Sequence, residues 1–426
     1  MPAERCAYLV SRYPGITHTF VVGEVLALRR AGVDVHTASV RRVADDAVLT
    51  PLDADERRTT HAILPTTARQ VLGCHLRAGR RSPIAYVRTA ARAARTAHTA
   101  GRARLWQVFY FGEAMMLWAW MEQHGLRHVH VHHANVSADV ALLACAFANA
   151  ARPAAAQPWS WSLTLHGPTE LVDVATHKLA LKVHAAAAVV CTSDFARSQV
   201  LAIAEEQDRH KVRTVRCGID VDRFAPGPSA LTHAGGDGQR TIEIVCVAAL
   251  SRRKGHAVLL DAFALLLARG RDVRLVVAGD GEERAALEHR AARPDLRGRV
   301  RFAGALGHDA VRRLYDDADI ACLPSYAEGV PTVLMEAMAM EIPVVATGIM
   351  GVPELVEDGR SGLLVPPARP DLLADALERL VGDPALRRAM GSAGRERVVG
   401  HYEVDRSAAR LREVLRPFTQ SVSGVG

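Results

Sequence analysis

Apolar positions along the chain follow two rhythms. Short runs rich in Val, Ile, Leu and Ala at 7–10, 33–40, 128–132, 161–166 and 187–192 have the length of buried strands. Between them lie stretches with apolar residues at helical spacing. The stretch 20–31 puts Val21, Val25 and Leu28 on one face and stops at Gly32. Ser193 stands where the cap of a following helix is expected. The same rhythm restarts after Ala225-Pro-Gly-Pro-Ser. Runs at 242–248, 274–278, 301–303, 320–323 and 344–346 read as strands, and 256–269, 331–340, 371–381 and 401–417 as helices. Such alternation builds parallel sheets from βαβ units.

The pattern predicts an α/β protein of two doubly wound, Rossmann-like domains facing a central cleft. The first domain is read over 1–225 and the second over 241–400, with a linker at 226–240 and a terminal helix and tail at 401–426. Ligands of doubly wound folds bind outside the carboxyl ends of the strands, so the crevice between the sheets is the expected site. The 426 residues, 49% hydrophobic and 23% charged, are enough for two cores and exclude a disordered or fibrous chain. No apolar run has the length of a membrane span. The N-terminus enters a strand without the apolar stretch of a signal peptide, and seven scattered cysteines form no CxxC pair. A cytoplasmic, reducing environment is the expectation.

The net charge of +7 is unevenly placed. Between Arg57 and Gly112 there are eleven arginines and no acid, which leaves the rest of the chain slightly acidic. Arg88, Arg92 and Arg95, with Arg102 further on, would share one helical face. A solvated face, an anionic membrane surface and a grip on an anionic acceptor are the open readings. Aromatic residues are sparse among these arginines, which argues against nucleic acid.

Three stretches carry candidate chemistry. In Leu323-Pro-Ser-Tyr-Ala-Glu-Gly-Val-Pro-Thr, a strand end leads through Glu328 and Gly329 to a helix starting near Pro331. That start offers backbone donors and a partial positive charge suited to a diphosphate. Thr332 and Glu336 share a helix face, and two carboxylates suit paired sugar hydroxyls. Ser251-Arg-Arg-Lys-Gly255 places three cations after a strand, where they would neutralise phosphate. Lys254 is one of only four lysines against 49 arginines. Leu163-Thr-Leu-His-Gly167 sets His166 at a strand end. The bland alternatives are solvated carboxylates, a basic turn and a structural histidine.

Taken together, Glu328-x7-Glu336 and its surroundings resemble the signature of retaining glycosyltransferases of family 4 (group 1), with the GT-B fold. Ser11 to Val21 with Glu24 is similar to the N-terminal loop of exopolysaccharide and colanic-acid-type members. Leu165-His-Gly167, Gly218 to Phe224, Arg253-Lys-Gly255, Gly279-Asp-Gly281 and Gly351-Val-Pro-Glu-Leu355 also resemble family elements. The resemblance implies a transferase that moves a sugar from a nucleotide diphosphate, UDP or GDP, to a glycan, lipid-linked or small-molecule hydroxyl. It needs no metal or other cofactor. Lys254 with Arg252 or Arg253 would hold the diphosphate, beside Gly279. Backbone groups of Gly329, Val330, Pro331 and Thr332 would cradle phosphate. Glu328 would bind donor-sugar hydroxyls, Glu336 the ribose, and His166 the transferred sugar. Arg12, Tyr13, Pro14, Gly15, Thr17 and Thr19 would line the acceptor side.

Some positions depart from the family pattern. Ala249 stands where many members have Arg, Met350 where a second Gly is common, and Glu341 where Gly usually precedes Pro-Val-Val. The alternating His128, His130 and His132 have a zinc-like spacing, but no nearby carboxylate or Cys in the sequence completes a site. Asp220-Val-Asp222 and Asp317-Ala-Asp319 fit a three-residue metal pattern that recurs by chance. No GxGxxG follows a strand, which disfavours a nicotinamide enzyme. A catalytically weak sugar or nucleotide binding protein of the same fold is the alternative function.

Overall fold

A computed structural model describes residues 4–15, 19–43, 51–95, 102–227 and 241–420. The chain divides into two compact units. The first runs to Val215 and takes up the chain again from Ser407; the second is Arg216–Arg406.

The first unit is built on seven parallel strands: β1 (Arg5–Arg12), β2 (Asp34–Arg41), β3 (His61–Leu64), β4 (His128–His132), β5 (Ser160–Leu165), β6 (Ala188–Cys191) and β7 (Val212–Thr214). Their order across the sheet is β3-β2-β1-β4-β5-β6-β7. Central strands are buried on both faces, as parallel sheets demand, and β4 is buried along its whole length. Its Val129 and Val131 enter the apolar core, while the three histidines alternate on the opposite face. The expected cap is present: Ser193 Oγ accepts from the Ala196 N–H at 3.0 Å. One helix covers Pro83–Arg95. The next helix covers Arg102–Gln123; residues 96–101 and the Arg102 side chain lie outside the described residues, and with them the expected continuation of the Arg88, Arg92 and Arg95 face to Arg102.

The second unit has six parallel strands: β8 (Ile242–Val247), β9 (Val273–Ala278), β10 (Val300–Gly304), β11 (Ile320–Leu323), β12 (Val344–Thr347) and β13 (Leu363–Val365). Their order is β10-β9-β8-β11-β12-β13. Both sheets therefore reverse winding direction beside their first strand, between β1 and β4 and between β8 and β11. The carboxyl ends at these switch points form the natural ligand position of each sheet.

The unit boundary falls at Arg216, earlier than the 225 expected from the linker composition. The reason is backbone pairing. Ile219 N donates to Tyr402 O at 2.8 Å, Val404 N donates to Ile219 O at 3.0 Å, and Arg312 clasps the carbonyls of Arg223 and Ala225. Most of the expected linker, 228–240, lies outside the described residues. The terminal segment is two helices, Pro384–His401 and Val404–Thr419, and from Ser407 it belongs to the first unit. There Phe418 stacks on His128 at 5.3 Å, and Arg412 donates to both Glu4 oxygens. No helix among the described residues is long and apolar enough to cross a membrane.

Candidate functional site

Two loops converge at the second unit's switch point. The loop after β8 ends in a short 3-10 turn, Arg252–Lys254, followed by Gly255 with φ +70°. A Cβ at Gly255 would lie 2.0 Å from the Pro324 carbonyl oxygen, so only glycine allows this crossing. Beside it, Tyr326 N donates to Arg253 O at 2.8 Å. The loops after β8 and β11 are thus laid against each other by backbone contact.

Their side chains complete the join. Lys254 Nζ donates to Glu328 Oε1 at 2.6 Å, and Ser325 Oγ donates to the same oxygen at 2.6 Å. Thr347 on β12 steadies Ser325 through its carbonyl at 2.6 Å. Both donors use Oε1, leaving Oε2 outside these two bonds. Glu328 is buried and Lys254 nearly so, so the two form an ion pair largely withdrawn from water. Arg252 turns to Glu283 at 3.2 Å, while Arg253 is exposed and makes no ion pair among the described residues.

The helix beyond is Thr332–Ala339, with Pro331 in the capping position rather than inside the first turn. Its first N–H groups have no partner within the helix. Gly329 and Val330 precede it, and Gly351 packs so closely that a Cβ there would lie 2.5 Å from the Gly329 carbonyl oxygen. Gly279 N donates to Gly304 O at the end of β10 at 2.8 Å, and Leu250 N donates to Asp280 O at 2.9 Å, which holds the loop after β9 beside the loop after β8. Glu336 is buried one turn along from Thr332. Burial pushes its carboxyl up to about 8 against the opposing pull of Arg223, so the side chain is largely protonated at neutral pH. His256, next to the basic turn, is held neutral: burial and then Lys254 bring it down to about 4.

The first unit gathers a second cluster at its own switch point. His132 Nδ1 lies 2.7 Å from His166 Nε2, and the two rings stack at 4.9 Å. His132 Nε2 is 3.1 Å from Glu24 Oε1, near enough for an ion pair though not aligned as a hydrogen bond. Tyr8 OH also donates to Glu24 at 2.9 Å.

The N-terminal loop splits. Tyr13 is buried, takes Ser39 Oγ on its N–H at 3.0 Å and donates its hydroxyl to Glu56 at 3.1 Å. Burial and Glu56 raise its phenol, so Tyr13 anchors the loop instead of facing an acceptor. Pro14 is buried beside it, whereas Arg12 is exposed and Gly15 half-buried. Thr17 lies outside the described residues; Thr19 opens the first helix, with its side chain not described.

The histidine strand needs a correction. Glu24 supplies, from a different element, the carboxylate absent from the surrounding sequence, and Glu24, His130 and His132 come close enough to hold an ion. Yet His130 already has Ser162 Oγ on Nδ1 at 2.7 Å and Thr164 Oγ1 on Nε2 at 2.9 Å. His128 likewise bonds Ser160 and Ser162, and burial brings it down to about 3. These hydroxyls account for both strand histidines. The aspartate pairs are structural as well: Asp220 caps a turn, and Asp319 accepts from Glu243 N at 2.8 Å.

Sequence reading named Lys254 and Glu328 separately but missed their direct contact and the role of Ser325. Ser325 stands only three positions before Glu328, and that spacing within one loop was the available signal. The spacing of His132 from His128 and His130 suggests only a zinc-like pattern; nothing in its neighbourhood in the sequence points to Glu24.

Residues 235–397, which lie within the second unit, match the family model described as glycosyl transferases group 1. The chain is 35% identical over 173 residues to alpha-D-kanosaminyltransferase of Streptomyces kanamyceticus, covering 41% of this chain and 45% of that protein. It spans about half the length of the curated relatives it matches. Among solved structures it resembles sucrose-phosphate synthase from Thermosynechococcus elongatus, with a TM-score of 0.72, 20% identity and 97% and 98% of the two chains covered. It also resembles Anabaena HepE in complex with UDP-glucose, with a TM-score of 0.69, 17% identity and 97% and 100% coverage. These likenesses establish the fold as two doubly wound α/β units of the GT-B type.

Proposed function

We propose that the protein is a glycosyltransferase that moves a sugar from a nucleotide diphosphate to an acceptor hydroxyl with retention of configuration and without a metal. The observation that carries this reading is the Lys254–Glu328 pair, set by Ser325 against the start of the helix Thr332–Ala339. The family match of this unit supports it. Lys254 and Arg253 neutralise the diphosphate, helix N–H groups receive its oxygens, Glu328 takes sugar hydroxyls and Glu336 the ribose. UDP and GDP are the expected carriers; the Anabaena relative holds UDP-glucose. His166 and the exposed part of the N-terminal loop serve the acceptor side.

In the reaction, the bond from the anomeric carbon to phosphate oxygen breaks and the bond to the acceptor oxygen forms on the same face. The acceptor proton passes to the departing phosphate oxygen, so no side-chain base is required. The protein's part is charge stabilisation on the leaving group.

A panel of nucleotide sugars incubated without acceptor tests this reading through donor hydrolysis. One or more donors should be hydrolysed, and Lys254→Ala should lower that rate roughly a hundredfold. Binding of UDP or GDP without hydrolysis or transfer would favour the non-catalytic binding protein. Binding of neither would reject both.

A further inference from the structure

The basic segment carries more than charge. In the helix Pro83–Arg95, the residues Ile84, Val87, Arg88, Arg92 and Arg95 are exposed, at the spacing of a single helical face. Ala85, Thr89 and Ala93 are buried on the opposite side. Ile84 is 71% and Val87 64% exposed, so this face is aliphatic at its start and cationic at its end. The preceding helix, Ala68–Arg81, repeats the arrangement: Arg69, Leu72, Leu76 and Arg80 are exposed along one face while Ala78 is buried. The next helix exposes Trp106 and Phe109, with ring centroids 5.7 Å apart.

A merely solvated face would not hold Leu72, Leu76, Ile84 and Val87 among its cations. Nucleic acid would account for the arginines but not for the aliphatic side chains among them. We infer that the exposed faces of Ala68–Arg81 and Pro83–Arg95 dock on the surface of an anionic lipid bilayer, with arginines on the head groups and Leu72, Leu76, Ile84 and Val87 in the acyl boundary. The charge is complementary, since no acid between Arg57 and Gly112 opposes it. The interleaving of cations and aliphatic residues is the composition of a helix lying in an interface. Exposed Trp106 suits the head-group depth. The inference does not depend on the transferase reading.

Co-sedimentation of the full chain with vesicles tests it, using phosphatidylglycerol mixed with phosphatidylcholine, and phosphatidylcholine alone, at low and high salt. The protein is expected to pellet with the anionic vesicles at low salt and to stay in solution with the neutral ones. Each arginine near the surface contributes about fivefold in partition, so Arg88→Gln, Arg92→Gln and Arg95→Gln together should weaken binding roughly a hundredfold. Ile84→Asp with Val87→Asp should also weaken it, and should remove the part that survives high salt, where charge is screened. These side chains bury little, so circular dichroism should show every variant folded. A wild-type chain that ignores anionic vesicles at low salt overturns the inference. So does a triple arginine variant that binds like wild type, or a chain that prefers single-stranded RNA to anionic vesicles.

Discussion

Two carboxylates in the second unit are controlled by opposite means. Glu328 is buried with a cation, and Glu336 is buried without a close one. Removing Lys254 alone leaves the Glu328 charge with only the Ser325 hydroxyl, which should cost about 3 kcal/mol of stability. Lys254→Met with Glu328→Gln removes both charges and should regain most of that loss while donor turnover stays low. Urea denaturation beside a turnover assay separates the two effects. Turnover that returns with stability would mean Lys254 is structural. Glu336 behaves differently, because its folded carboxyl titrates near 8 and its unfolded one near 4.5. The folded state therefore holds a proton that the unfolded state has released, and stability falls as pH rises through that window. Glu336→Gln should stabilise the nucleotide-free protein at pH 8 by about 4 kcal/mol and flatten its pH dependence between pH 5 and pH 8. The same change should weaken UDP or GDP binding through its lost ribose contact, a trade of function against stability. Denaturation at both pH values, with calorimetry, checks both halves. A variant with unaltered pH dependence would show that Glu336 is not the titrating group.

Elements differ in how far the sequence displays them. β1, β2, β4, β5, β6 and β8 to β12 are legible as apolar runs because most are buried between helices. β3, β7 and β13 escape such a reading: each has only three or four residues at a sheet edge, too few for an apolar run to stand out from its surroundings. The helix Val136–Ala151 escapes it for the opposite reason, since ten of its residues are buried and its apolar stripe has no clear edge. The residues of both site loops are legible, but their contacts are long-range: Lys254 and Glu328 are 74 positions apart. Turn geometry also explains two departures from the family pattern. Met350 has φ +43° and Glu341 φ +60°, the left-handed conformation that glycine adopts without strain. A side chain costs about 1 kcal/mol there. Met350→Gly should thus raise stability by roughly 0.5 kcal/mol after the added freedom of the unfolded chain is subtracted, with Glu341→Gly similar. Urea midpoints that fall in both variants would show that these side chains contribute contacts worth more than the strain.

At the scale of the whole molecule, the two units are unequal in self-sufficiency. The second is one continuous stretch, Arg216–Arg406, with its own sheet, its own cores and every residue of the proposed donor site. The first needs two stretches of chain. Its closing helix brings Arg412 to Glu4 and Phe418 to His128, and buries Ala408, Leu411 and Leu415. Cutting the chain at these boundaries should therefore have opposite outcomes. A fragment 216–406 is expected to fold cooperatively and to bind UDP or GDP within about tenfold of the full chain, a difference of about 1.4 kcal/mol. Saturation at a hundred times the dissociation constant should raise its stability by about 2.7 kcal/mol, and Lys254→Ala should shrink that gain. A fragment 1–215 lacks the closing helix. It loses the apolar cover of Leu411 and Leu415, at about 2 kcal/mol for each side chain, and leaves Glu4 without its arginine. It should melt well below the full chain and recover when a peptide of 404–420 is added. Melting curves of both fragments, with and without nucleotide and peptide, decide the matter. If 216–406 folds but does not bind the nucleotide that the full chain binds, residues of the first unit are required for donor recognition, and the self-contained donor site proposed here is wrong.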